Sequence, residues 1–177
     1  MLVLAALSAL LYLRYFHPPE ATHVGARQEP RITRLSALID AHINNIFSPL
    51  DGQIPPIPHQ ELRVLREDFA DALSKVPLQE RFLYQTAIQL CDELLAAIQE
   101  RERELASLAD TRSKAYSVAL SQNQKKEEAD KRHFFEFNIA RRWLENSKSY
   151  RDRVIALYAR MRQQERQLLA QRTATNN

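Results

Sequence analysis

From residue 31 onward, apolar side chains recur at intervals of three and four, the spacing of one helix face. Ile32, Leu35, Ile39, Ile43, Ile46 and Phe47, with Leu38 beside them, predict a first amphipathic helix over 31–48, entered after Pro30. Leu62, Leu65, Phe69, Leu73 and Val76, with Ala72 on the same face, predict a second over 60–76, which Pro77 ends. A third helix, 78–120, carries the stripe Tyr84, Ile88, Cys91, Leu95, Ile98, Glu102, Leu105, Ala109, Arg112, Tyr116 and Ala119. That is a heptad seam with polar interruptions at Glu102 and Arg112. Leu83, Ala87, Leu90 and Leu94 widen its first half, so 82–98 needs more than one neighbour, and the first two helices are expected to cover it.

The fourth helix, 125–172, has its seam at Ala140, Trp143, Ser147, Tyr150, Val154, Leu157, Met161, Gln164 and Leu168. Ile155, Tyr158 and Leu169 widen its last third, and 173–177 read as a frayed tail. Between Pro77 and the C-terminus there is no glycine and no further proline, so the reversal is placed at Ser121-Gln122-Asn123-Gln124. A turn there sets the wide ends of the two long helices side by side, which favours a hairpin over one helix of about 150 Å. The expected fold is all-α: a short N-terminal anchor helix, a linker, and a four-helix arrangement over 31–172 dominated by a long antiparallel, coiled-coil-like hairpin.

A different pattern occupies the N-terminus. Leu2, Leu4, Leu7, Leu10, Leu11, Tyr12, Leu13, Tyr15 and Phe16 belong to a run of apolar residues broken only by Ser8 and Arg14. As a helix it would be about 24 Å long, short of the ~30 Å hydrocarbon core, with Arg14 able to snorkel and the tyrosines to sit at the interface. A retained membrane anchor is the favoured reading. A cleaved signal peptide, giving a secreted or periplasmic protein, lacks a basic leader, and a helix buried in the core must explain Pro18-Pro19 behind it. Arg14, Arg27, Arg31 and Arg34 follow the run, so a single-pass anchor would leave the body on the cytoplasmic side.

Composition sharpens this picture in two places. All eight prolines lie between residues 18 and 77, and both glycines fall in the connectors: 17–30 is a linker, 49–59 a stiff proline-rich connector. The net charge of +3 is uneven. Residues 121–177 hold 13 Lys and Arg against 7 Asp and Glu, whereas 78–120 hold 5 against 7. Pairing the two long helices accounts for that asymmetry; the sharper alternative is a basic 141–172 helix that binds nucleic acid or an anionic membrane. The arginines spread around the helix instead of forming a stripe, which disfavours nucleic acid.

Little in the sequence suggests catalysis or a cofactor. No glycine-rich phosphate loop occurs, and His17, His23, His42, His59 and His133 are scattered. Glu20 and His23 have the Glu-x-x-His spacing of carboxylate-bridged metal sites, but once only and in a proline-flanked linker, so no metal site is assigned. Cys91, the single cysteine, lies on an apolar stripe and is expected to be buried and inert.

One stretch resists the pattern. Phe134, Phe135 and Phe137 crowd four positions, and the fourth helix's phase puts Phe134 and Phe137 opposite Trp143 and Tyr150, beside Asp130 and Arg141. Either the helix changes phase there and buries them, or they form a surface for a partner, self-association or membrane contact. With Arg141, they are the candidate binding residues. The function expected from the sequence is a non-enzymatic, membrane-tethered helical scaffold or adaptor.

Overall fold

The computed structural model describes residues 30–50, 58–114 and 122–175. Four helices fill them: α1 Pro30–Ile46, α2 His59–Leu73, α3 Leu78–Lys114 and α4 Gln122–Thr175. Residues 1–16, the linker, the Glu20–His23 spacing and the centre of the proline-rich connector lie outside the described residues. Among the described residues no helix is long and apolar enough to cross a membrane.

The helix ends have local causes. Val76 precedes a proline, where the α region is crowded by the pyrrolidine ring, so α2 stops at Leu73 instead of running on to Val76. Its last carbonyl turns are closed by Lys75 N–H and Val76 N–H, both donating to Ala72 O at 2.8 and 3.1 Å. Pro77 then leads into α3, its carbonyl accepting from Glu80 N–H at 2.9 Å. The described part of α3 runs to Lys114 and α4 begins at Gln122, so Gln122–Gln124 of the expected turn are helical, and residues 115–121 lie outside the described residues. At the other end α4 continues to Thr175, with Thr173 Oγ1 donating to Leu169 O and Ala170 O.

Helices α3 and α4 run antiparallel. Their cross-links fall in opposite order along the two helices: Glu80 with Arg172, Glu93 with Arg153, Glu100 with Asn146, Glu104 with Arg142 and Arg112 with Glu136. Both helices are thus accounted for by a hairpin, and the acidic face of α3 answers much of the basic excess on α4.

The core lies at the wide end. Ile32, Leu35, Ile39, Ile43 and Ile46 of α1 and Leu62, Leu65 and Phe69 of α2 pack on Tyr84, Ala87, Leu90, Leu94 and Ile98 of α3 and on Val154, Tyr158 and Met161 of α4. Phe69 meets Tyr84 edge to face at 5.7 Å. Cys91 sits in this core, where burial pushes its thiol up to about 12. Further along, among the described residues, α3 and α4 pack on each other, apart from a small cluster that brings in Leu50 with Leu108, Ile139 and Trp143.

The seams differ from those expected. On α3 the buried seam runs through Leu83 and Tyr84, Ala87, Leu90 and Cys91, Leu94, Ala97 and Ile98, Arg101, Glu104 and Leu108, with Thr86 buried beside it. This keeps the 3.5-residue spacing but follows the middle of the wide stripe, whereas the expected seam followed one edge of it. Glu102, Ala109 and Arg112 are therefore exposed. On α4 the seam takes Ile139 in place of Ala140, and Tyr158 and Glu165 are buried more deeply than Leu157 and Gln164.

Glu165 is an anomaly in that seam. Its Oε2 accepts from Arg162 at 2.6 Å, while Oε1 is buried with no hydrogen-bond partner among the described residues. Burial raises its pKa above the ordinary carboxylate range, and Arg162 offsets only part of that. A carboxyl whose pKa is raised by folding favours the fold when protonated, so this contribution is lost as pH rises through the folded-state value. Glu165→Gln is expected to raise the melting temperature by a few degrees at neutral pH, on the order of 1 kcal/mol, with the gain vanishing near about pH 4. A lower melting temperature at neutral pH would contradict this account.

Candidate functional site: the root and outer face of the arm

The arm begins where the third and fourth helices leave the cover of the first two. At its root, Arg101 is 1% exposed, a cation on a core-facing position. Helix α1 has ended at Ile46, and the carbonyls of Ser48 and Pro49 lie in the non-helical segment that follows it. Arg101 supplies donors: Nη1 to Ser48 O at 2.7 Å, Nη2 to Pro49 O at 3.0 Å and to Ser48 Oγ at 3.1 Å. The carbonyl end of a helix carries partial negative charge, so a guanidinium fits it electrostatically as well as by hydrogen bonding.

Trp143 of α4 closes the same point. Its Nε1–H donates to Ser48 O at 2.9 Å, and its ring lies 5.3 Å from the Arg101 guanidinium carbon. Leu50, one residue past Pro49, packs with Leu108, Ile139 and Trp143. Ser48 Oγ also donates to Asn45 O at 2.9 Å, holding the end of α1 in shape. Three separate stretches of chain therefore meet at one arginine: the end of α1 with the residues after it, α3 and α4. One turn further along α3, buried Glu104 takes a two-pronged contact from Arg142. Hydrogen bonding to Glu104, then its charge, holds the Arg142 guanidinium above its ordinary pKa.

Beyond this root the usual arrangement of an amphipathic helix is reversed. Ile139, Trp143 and Ser147 fix the phase of α4 against α3. One turn before Ile139, that phase points Glu136 inward, where Arg112 of α3 and Arg132 reach it at 3.5 and 3.8 Å. With an ion pair facing the partner helix, the phenylalanines are turned away: Phe134 is 64%, Phe135 57% and Phe137 63% exposed. Leu144, missed by the sequence reading, is 65% exposed and continues the same outer ridge. Its signal was available, because Phe134, Phe137, Arg141 and Leu144 are spaced three, four and three apart. Arg141 is exposed on that ridge, within reach of Glu145 at 3.9 Å. The ridge thus gathers Phe134, Phe137 and Arg141, while Phe135 stands to one side, its ring edge-on to Phe134 at 6.0 Å.

The remaining candidates stay apart. His59 lies 3.7 Å from Glu102, His42 is half-buried on α1 and His133 is exposed on α4. Among the described residues no group of three His, Cys, Asp or Glu could hold a metal ion. The groove between the long helices is lined by Asp92, Glu93, Tyr150, Arg153 and Arg160, and three of its charges answer neighbours: Arg153 meets Glu93, and Arg66 meets Asp92. No protein-family model matches this chain, no curated protein matches it, and no solved structure matches it.

The root is expected to govern stability in a definite order. Arg101→Leu leaves the Pro49 carbonyl without its donor and should cost about 3 kcal/mol. Arg101→Lys keeps the charge but loses the fork and should cost less, and Trp143→Phe, which removes one N–H donor, about 1 kcal/mol. Denaturant midpoints at constant slope would check the order; an Arg101→Leu chain as stable as the parent would contradict it.

Proposed function

We propose that this chain is a non-enzymatic helical scaffold, tethered to a membrane by residues 1–16, which presents the outer face of its long arm to a protein partner. The observation that carries the reading is the reversed amphipathicity of 132–137, whose outer ridge Leu144 continues. There the ionic positions Arg132 and Glu136 face α3, and Phe134, Phe137 and Leu144 face outward. Three large apolar residues exposed in register on one ridge are uncommon without something to cover them. A surface of aromatic residues with an arginine among them has the composition of protein-binding hot spots. The alternative, a basic helix for nucleic acid or anionic membrane, draws less support, since Arg142, Arg153 and Arg172 are engaged by Glu104, Glu93 and Glu80.

Proximity labelling in cells compares the full-length chain with a Phe134→Ser/Phe137→Ser variant. Specific neighbours are expected to be lost with no fall in melting temperature, because neither ring supports the core. An unchanged neighbour set contradicts the reading. The tether is tested by fractionation: the full-length chain is expected in the membrane fraction and a chain starting at Arg31 in the soluble one. Recovery of both in the soluble fraction would remove the tether from the proposal.

A further inference from the structure

We infer that the outer ridge of the fourth helix is a self-complementary interface, on which a second copy of this chain docks antiparallel about a two-fold axis near residue 139. This rests on the reading of the ridge as a protein-binding face and names its occupant.

The ridge is longer than its aromatic centre. Glu127, Asp130, Phe134, Phe137, Arg141, Leu144, Lys148 and Arg151 follow one another three and four residues apart, and all of them are exposed. That is a heptad stripe on the side of α4 turned away from α3. Its charges are sorted along its length: acidic at the start, apolar in the middle, basic at the end. Such a stripe is complementary to itself in one orientation only. Set antiparallel about residue 139, Glu127 faces Arg151 of the second copy, Asp130 faces Lys148, Phe134 faces Leu144 and Phe137 faces Arg141. In the parallel orientation acid would face acid and base would face base, which costs stability.

A two-fold arrangement requires each pairing to occur twice, as an isologous dimer does. The existing contacts of these charges offer little resistance. Glu127 with Lys131 and Arg141 with Glu145 are exposed pairs within one helix, worth little and easily exchanged. In size, the apolar centre and the stems of its basic residues amount to roughly 1,000 Å² over both copies, at the low edge of stable association. The pairing is therefore concentration dependent, and a shared membrane surface would favour it by raising local concentration.

Cysteine cross-linking tests the orientation directly in the purified full-length chain, because the single native cysteine, Cys91, is buried. Ala140 is exposed, flanks the ridge and lies beside the proposed axis, so Ala140→Cys is expected to give covalent dimers with a short bismaleimide. His133 occupies the same flank, but in the antiparallel pair its two copies stand about 18 Å apart along the helix, beyond the linker's reach. His133→Cys is therefore expected to remain monomeric. Adding Phe134→Ser/Phe137→Ser to Ala140→Cys should cut dimer yield at least tenfold. Adding Asp130→Lys should lower the yield severalfold, and a further Lys148→Asp should restore it.

Equal cross-linking at both positions, or none at Ala140→Cys, overturns the inference. If Ala140→Cys stays monomeric while Phe134→Ser/Phe137→Ser still strips neighbours in proximity labelling, the ridge serves a different protein and the scaffold reading survives. If labelling is also unchanged, both fall together.

Discussion

A single buried cation holds the two parts of this molecule to each other. Arg101 sits on the seam of a coiled-coil-like hairpin, where an apolar residue would ordinarily be found. It is stable there because the non-helical segment just past the end of α1 turns the carbonyl oxygens of Ser48 and Pro49 onto it. The bundle and the arm each solve half of the other's problem: the connector's buried carbonyls need donors, and the arginine needs acceptors. Trp143 shares the Ser48 carbonyl and covers the guanidinium, so the fourth helix is fixed in rotation at the same point. Such a contact specifies register, and it is costly to lose, because removing the guanidinium leaves buried carbonyls without donors.

Fixing that rotation has a consequence two turns away. With Trp143 and Ile139 facing inward, Glu136 must face inward as well, and the phenylalanines beside it must face out. The exposed aromatic ridge is therefore not a local accident of packing. It follows from a phase set at the root and carried along a helix too stiff to re-twist over a few residues. Structure and proposed recognition are joined in this way: the residue that closes the core also orients the face offered to another chain.

Much of this was legible in the sequence, and the exceptions have physical reasons. Apolar spacing located four helices, and the proline before α3 marked its start. It could not fix the end of α2, because the constraint acts on Val76, the residue before Pro77. The seam of α3 was misplaced by following hydrophobicity to its edge at Glu102 and Ala109. Arg101 and Glu104 look like surface residues until their partners are known, and Ser48 lies 53 positions away in the chain. Spacing alone also showed that the phenylalanines did not fit. It could not choose between burial and exposure, because that depends on Arg112 reaching Glu136 from the other helix.

If Arg101 pins the arm at its root, protection should be distributed unevenly along the fourth helix. Native-state hydrogen exchange on the full-length chain measures this residue by residue. Amides from Ile139 to Met161 are expected to exchange only by global opening, together with those of α3 between Leu83 and Leu108. Protection should fall in a step on the N-terminal side of Ile139, where the described contact of α4 with α3 is the ionic one of Glu136 with Arg112. Uniform protection across 122–175, with no step at the root, would contradict the account.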